Sequence, residues 1–351
     1  MPKVSIGLPC YNEAPFIEET VGSILAQTEA DFELLICDNA STDGTQEILK
    51  KLAQEDSRIK LHASSTNIGA PANFIKAWEL ATSPYFMWMG GHDRLGKDYV
   101  KKLRLVLDAD PQCSLAHADA IYFARDGSDI PGEQVYEAPD VSDESPVQRF
   151  KVIVWQLIRC DIIHGLMRRE RVHRPLLTSC RAPDLVLLAD LALRGKFRRV
   201  PELMFFRRQV REAETPEEWK KRQEQQGVAD PSQSVKESWK GTRDAHLDLP
   251  GAATLPARER HTIRLALHQA FLERHLVEWD PSTEEAGFWE RLQMKAASPE
   301  GQEHIRQRIR QRVARRARLD DASTRARLER EVAMLLKENH RLRKELAKLK
   351  R

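Results

Sequence analysis

The chain has little of what a disulfide-stapled, membrane-spanning or polyanion-binding protein needs. Its five cysteines (Cys10, Cys37, Cys113, Cys160 and Cys180) are odd in number, scattered, and contain no C-x-x-C pair. That excludes a disulfide framework and the usual zinc spacings. No apolar run approaches the roughly 18–20 residues that cross a bilayer, so a membrane role has to be peripheral. Met1-Pro2-Lys3 leads straight into an apolar alternation at Val4, leaving no room for a signal peptide. The expectation is a reduced, cytoplasmic protein, peripheral at most at the inner face of the membrane. A net charge of only +3 excludes a chain that is basic overall and makes nucleic acid an unexpected partner. Hydrophobic content of 41% is low, and charged content of 31% high, for one globular body. A folded domain joined to a charged helical segment fits both figures.

What is present is strand and helix in alternation. Val4-Ser5-Ile6-Gly7-Leu8 alternates as a strand does, and Pro9 is expected to stop it. Phe16, Ile17, Val21, Ile24 and Leu25 recur at helical spacing. Glu33–Cys37, continuously apolar from Leu34 on, has the mark of a strand covered on both faces. Asp43 and Thr45 compete to cap the next helix, and Gln46 stands where a capping box from Asp43 places it. Further strands are expected near Arg58–His62, Tyr85–Met89 and Ser114–His117, with helices over Ala70–Ala81 and Asp98–Asp108. This order predicts an α/β fold with a doubly wound, mostly parallel sheet. Such sheets bind ligands at the carboxyl ends of their strands.

Those ends are polar. The first carries Pro9-Cys10-Tyr11-Asn12-Glu13 and the second Asp38-Asn39-Ala40-Ser41-Thr42-Asp43-Gly44-Thr45. Asn67-Ile68-Gly69 and Asn73 follow the third, and Gly90-Gly91-His92-Asp93 the fourth. Each piece alone reads equally well as turn or helix-start chemistry. Together they put carboxylates and amides into one cleft, which no packing requirement explains.

In this order and spacing, Pro9-x-Tyr11-Asn12-Glu13, Asp38-Asn39-x-Ser41-x-Asp43-Gly44-Thr45 and Asn67-x-Gly69 resemble the family 2 glycosyltransferases of the GT-A fold. The resemblance covers roughly residues 1–210. It takes in His164-Gly165-Leu166-Met167-Arg168-Arg169 and the stretch from Asp184 through Arg194-Gly195-Lys196-Phe197 to Val200-Pro201-Glu202. It implies a nucleotide half at about 1–120, an acceptor half at about 121–210, and a UDP-, dTDP- or GDP-linked sugar as donor. Tyr11 stacks on or lines the base, Asp38 bonds the base or ribose, and backbone around Pro9 closes the pocket. Glu13, Asn39, Asp43, Asn67, Asn73 and Gly91 complete the implied donor site. Asp184, ahead of a helix ending in Arg194-Gly195, takes the place of the general base of an inverting transfer, with Asp190 as the second candidate. The other reading of Asp184 is a favourable charge at a helix N-terminus. His164, Gly165 and Arg168 fall where acceptor or diphosphate contacts are implied, although a lone histidine is more often a packing residue.

One site departs from the family. An Asp-x-Asp pair is expected at the fourth strand end, holding the divalent cation of the donor diphosphate. Here Gly90 and His92 occupy those positions and Asp93 is the carboxylate left. His92 and Asp93 together holding Mn²⁺ or Mg²⁺ is one reading; imidazole suits the former better. Neutralisation by a protein cation such as Arg94 is another. A degenerate, non-catalytic binding protein acting through its C-terminal segment is the third.

Residues 211–257 are polar, with Thr215-Pro216, Asp230-Pro231 and Leu249-Pro250-Gly251, and read as a linker or irregular excursion. Helical patterning returns over 258–320. Residues 306–318 hold seven arginines and no acid, around Ile305, Ile309 and Val313. This fits either contact with an anionic membrane surface or a solvated helix. In 321–351, Leu328, Leu335, Leu342 and Leu349 recur every seven residues, with Val332, Asn339 and Leu346 at the other seam position. This predicts a short coiled coil and, from the seam asparagine, a parallel homodimer; a lone helix docked on its own domain is the alternative. Acceptors for the implied chemistry are glycans, lipid-linked oligosaccharides or proteins.

Overall fold

The computed structural model of the protein describes residues 2–157, 159–172, 182–210, 242 and 244–275. The arginine-rich stretch, the leucine repeat from Leu328 to Leu349 and Cys180 lie outside the described residues.

Eight strands form one sheet in the order β3-β2-β1-β4-β7-β6-β8-β5. β1 (Val4–Cys10), β2 (Phe32–Asp38), β3 (Ile59–Ala63) and β4 (Tyr85–Trp88) are parallel neighbours. The helices between them are α1 (Ile17–Leu25), α2 (Thr45–Glu55) and α3 (Ala70–Leu80). Every residue of β1 and β2 is buried, as strands covered on both faces must be. Their side chains alternate between two cores. Leu34 and Ile36 join Ile17, Val21 and Leu103, whereas Leu35 and Cys37 join Phe86, Trp88 and Phe150.

The second half of the sheet is mixed, where mostly parallel pairing was expected. β7 (Leu166–Arg168) runs antiparallel to both β4 and β6 (Cys113–Ala124). β8 (Lys196–Gln209) is parallel to β6 and antiparallel to the two-residue β5 (Arg94–Leu95). The chain moves outward from β1 through β2 to β3, then returns to place β4 on the other side of β1. That reversal opens a crevice between the carboxyl ends of β1 and β4.

Pro9 does not stop the first strand; β1 continues to Cys10. Gly7 turns its carbonyl to β4, accepting from Met89 N–H (2.8 Å). Two residues on, Pro9 turns its missing N–H the same way, beyond the last β1–β4 register pair at Gly7. The proline therefore costs no ladder bond and marks where the two strands part.

Helices α4 (Tyr99–Ala109), α5 (Pro146–Gln156) and α6 (Pro183–Arg194) complete the layers. Residues Leu185 through Leu193 of α6 are all buried, so this helix needs cover on every side. Part of it comes from α7 (Pro250–Ala253) and α8 (Ala257–His275): Leu249 just ahead of α7, with Ala252, Ile263 and Leu267, shares the core of α5 and α6. The join is polar and specific. Asp190, 4% exposed, accepts from Gly251 N–H (2.6 Å) through Oδ1 and from Arg194 Nε (2.7 Å) through Oδ2. A Cβ at residue 251 would sit 2.9 Å from that Oδ1, so only glycine allows the approach. Asp190→Ala strands a guanidinium and an amide and should lower unfolding free energy by about 3 kcal/mol. Urea denaturation of wild type and variant measures the loss; an unchanged midpoint would refute this account of the join.

Candidate active site

The loops leaving β1 and β2 are tied together by short polar side chains. Asn12, held in the left-handed region (φ 56°), donates its N–H to Ser41 Oγ (2.9 Å) and accepts from Thr42 N–H at Oδ1 (2.9 Å). Glu13 N–H donates to Thr45 Oγ1 (2.9 Å) and Ala14 N–H to Asp43 Oδ2 (3.1 Å). Asp43 Oδ1 accepts from both the N–H and the hydroxyl of Thr45. Burial raises the Asp43 carboxyl, but these bonds, led by the Thr45 hydroxyl, outweigh it and hold the group below its ordinary range. Gly44, at φ 97°, makes the left-handed turn into α2. Gln46 does not close the expected capping box. Its amide donates to Asp38 Oδ2 (2.8 Å) instead.

Asp38 is fully buried, and its Oδ2 also accepts from Ser41 N–H (3.1 Å). Its Oδ1 has only the Cys10 thiol, at 4.0 Å. Asn39 Nδ2 donates to Asn67 Oδ1 (2.8 Å), while Asn39 Oδ1 accepts from Ile68 N–H (2.9 Å). Asn73 Nδ2 donates to Cys37 O (2.8 Å), leaving a buried Oδ1 without a hydrogen-bond donor. Tyr11, 40% exposed, stands at the rim with a face open for stacking. Pro9, Tyr11, Glu13, Asp38, Asn39, Asp43, Asn67 and Asn73 thus gather around two adjacent strand ends. Asp43, Asn39 and Asn67 serve there as braces, and Asp38 Oδ1 and Asn73 Oδ1 keep accepting capacity.

Across the crevice, Gly91 packs on Glu13; a Cβ at 91 would lie 2.8 Å from Glu13 Cγ. Glu13 Oε1 is 3.0 Å from His92 Nδ1, so that nitrogen carries the proton. Asp93 goes elsewhere. It is 2% exposed, and its Oδ1 accepts from Arg208 N–H on β8 (2.9 Å). The Mn²⁺ or Mg²⁺ site expected of His92 and Asp93 does not fit these residues. Their partners lie on different elements, and among the described residues no three His, Cys, Asp or Glu side chains converge as a cation site. Arg94, the alternative cation, is bonded to Glu19 (2.9 Å) with its guanidinium 4.0 Å from the Phe123 ring centre.

On the other face of β4, His164 is a packing residue. Its Nδ1 donates to Trp88 O (3.1 Å), and its ring stacks on Phe205 at 4.9 Å. Burial holds the imidazole below its ordinary pKa, although the Asp93 charge pulls the other way. Gly165 lets the chain pass Ala116 O, which a Cβ would approach to 2.5 Å. Arg168 is not brought to the cleft. Paired with Tyr85 at the start of β4, it donates to Leu107 O (2.7 Å) and Cys113 O (3.3 Å) at the opposite end of the sheet. There it satisfies a final carbonyl of α4.

Asp184, half-buried, opens α6 and sits beside the Cys160 thiol, which burial and then this carboxylate push up. The next residue, Asp161, holds both Arg159 (2.7 Å) and Arg207. The Arg159 guanidinium lies between the rings of Tyr122 and Tyr136, 4.0 and 4.7 Å from their centres. Sequence reasoning missed Arg207 and Arg208, because only the β6–β8 pairing carries them to the crevice. Beside His92, an open cavity of about 410 Å³ is lined by Phe16, Ala124, Arg125 and Asp126.

Residues 5–145 match the family described as Glycosyl transferase family 2. This stretch, under half of the chain, is what resembles the family 2 glycosyltransferases. TuaG of Bacillus subtilis, named for teichuronic acid biosynthesis, is 33% identical over 139 residues, 40% of this chain and 54% of TuaG. The abequosyltransferase RfbV of Salmonella typhimurium is 35% identical over 109 residues, 30% of this chain and 33% of RfbV. The chain thus spans about half of one curated relative and a third of the other. S. aureus TarS 1–349, solved with UDP-GlcNAc, superposes with a TM-score of 0.58 at 17% identity, over 85% of this chain and 82% of that one. The architecture is that of the GT-A glycosyltransferases, reached through little common sequence. Among the described residues no helix is long and apolar enough to cross a membrane.

The brace at Asp43 has a pH signature. A carboxyl held low stabilises the fold above its unfolded pKa, and that contribution is lost as pH falls through the folded value. Asp43→Asn should therefore cost no more than about 0.5 kcal/mol at neutral pH, solvent screening of this exposed side chain keeping it small, with the deficit shrinking below about pH 4. Denaturation of both proteins across this range tests it, and a deficit that stays constant with pH would contradict the brace.

Proposed function

We propose that this domain transfers a glycosyl group from a nucleotide-sugar donor, UDP-, dTDP- or GDP-linked, to a hydroxyl of a glycan, a lipid-linked saccharide or a protein. The observation that carries the reading is the set of buried acceptors, Asp38 Oδ1 and Asn73 Oδ1, beside Tyr11 at the β1/β4 reversal of a family 2 domain. Carboxylate and amide oxygens accept from ring N–H or ribose hydroxyls, and an exposed phenol ring stacks on a base. The relatives' names, teichuronic acid biosynthesis and abequosyl transfer, support polysaccharide assembly as the setting. The UDP-GlcNAc held by TarS supports a UDP-linked donor as the first to try.

In this reading Asp184 is the general base of an inverting displacement. It takes the acceptor hydroxyl proton as the oxygen attacks the anomeric carbon, and the bond to the diphosphate breaks with the nucleotide leaving as its anion. Asp184 is half-buried at the start of α6, whereas Asp190 has both oxygens committed to Arg194 and Gly251. No step is assigned to a divalent ion. Self-association through Leu328–Leu349 and surface contact through the arginine-rich stretch belong to the same proposal, in a cytoplasmic setting.

Asp184→Asn should reduce transfer at least about 100-fold while leaving UDP binding intact. Turnover of radiolabelled nucleotide-sugar, with UDP affinity read by thermal shift, measures both. A variant that keeps the wild-type rate would remove Asp184 from this role. Donor binding by wild type with no turnover on any acceptor would favour the non-catalytic reading.

A further inference from the structure

We infer that Asp93 and Arg208 form a clasp that fixes the Gly90–His92 loop, in place of a divalent ion held by Asp93. The inference rests on the proposal that this loop faces the donor diphosphate. It goes further in assigning Arg208 as the residue that positions the loop.

Three observations on independent groups converge. The first is space at residue 90. A Cβ there would lie 2.7 Å from Asp93 Oδ2, so any side chain at 90 and the present Asp93 rotamer exclude each other. An acidic side chain at this position and the inward turn of Asp93 are therefore mutually exclusive. The glycine makes the room, and the carboxylate fills it.

The second is the use of Arg208. Its side chain is 3% exposed and every nitrogen is engaged. Nε donates to His92 O (3.0 Å), one terminal nitrogen to Arg125 O (2.7 Å), and the other to Glu19 on α1. Its own backbone N–H goes to Asp93 Oδ1 (2.9 Å). The guanidinium lies between Phe16 and Phe123, 5.0 and 4.4 Å from their ring centres. One residue thus ties the loop after β4 to α1, to the end of β6 and to β8. A rigid five-donor fork can make such a join; a lysine ammonium cannot reach all of these acceptors.

The third is charge. A dication ligated by Asp93 would have to displace the Arg208 N–H and settle close to that buried guanidinium, against like-charge repulsion strengthened by burial.

The test begins without nucleotide. Mn²⁺ titrated into the full chain is followed by the EPR signal of the free ion, in wild type and in Asp93→Asn, whose amide oxygen still accepts from Arg208 N–H. Equal uptake by the two proteins is expected. Uptake by wild type that weakens about tenfold or more in the variant would make Asp93 a ligand and overturn the clasp. This comparison decides the inference even if UDP fails to bind, a result that would count against the transferase reading alone. Isothermal titration of UDP then follows in EDTA and in Mn²⁺. Unchanged Asp93→Asn affinity is expected, against about tenfold weaker binding and a raised donor KM at constant kcat for Arg208→Met. Arg208→Lys should rescue little, since its charge alone does not restore the bonds to His92 O and Arg125 O. Wild-type UDP affinity in Arg208→Met would end the positioning role.

Discussion

Two parallel strands end side by side at Cys10 and Asp38, and the loops that leave them have no sheet partner for their backbone amides. The loops are largely exposed, so side-chain bonds between them fix their conformation rather than rescue buried amides, and that order has to exist before anything can bind between them. Asn12, Ser41, Asp43 and Thr45 do this, each bonding to the opposite loop or to the turn that supports it. The residues that look most like ligand contacts in the sequence are therefore largely spent on holding the crevice open. What remains for a ligand is smaller and better defined: one oxygen of Asp38, one of Asn73, and the exposed ring of Tyr11.

The same logic explains which parts of the molecule are legible from the sequence. β1 to β4 and their helices follow from apolar periodicity, because the strands pair with neighbours through short crossovers and β1, β2 and β4 bury both faces. The mixed half follows from no local pattern. β8 contains Arg198-Arg199, Pro201-Glu202 and Arg207-Arg208, and its place beside β6 is set by long-range pairing with register shifts near Ala118 and Asp119. Arg208 is consequently invisible as a site residue until the sheet is assembled.

His92 and Asp93 show a different limit. Adjacent in sequence, they suggest one cation site, but the chain turns at Gly91-His92 and the two side chains find different partners. One meets Glu13 and the other β8. Arg168 was misleading for a related reason. It lies in a stretch that resembles the family's acceptor side, yet an antiparallel strand beside β4 puts its far end at the amino end of that strand. Proximity in a motif settles neither the face nor the end of the sheet that a side chain reaches.

The two carboxylates of α6 carry the consequence into the chemistry. Six residues apart on a helix, Asp184 and Asp190 are separated by about 240° of rotation and two-thirds of a turn beyond the first, so one helix face cannot present both to the same ligand. The helix is apolar almost throughout and has to be covered by α5, α7 and α8, and the cover consumes Asp190 through Gly251 and Arg194. Asp184, just ahead of the buried run, escapes that demand. In the reading that α6 supplies the base, the place left for it is the amino end, where Asp184 stands half-buried.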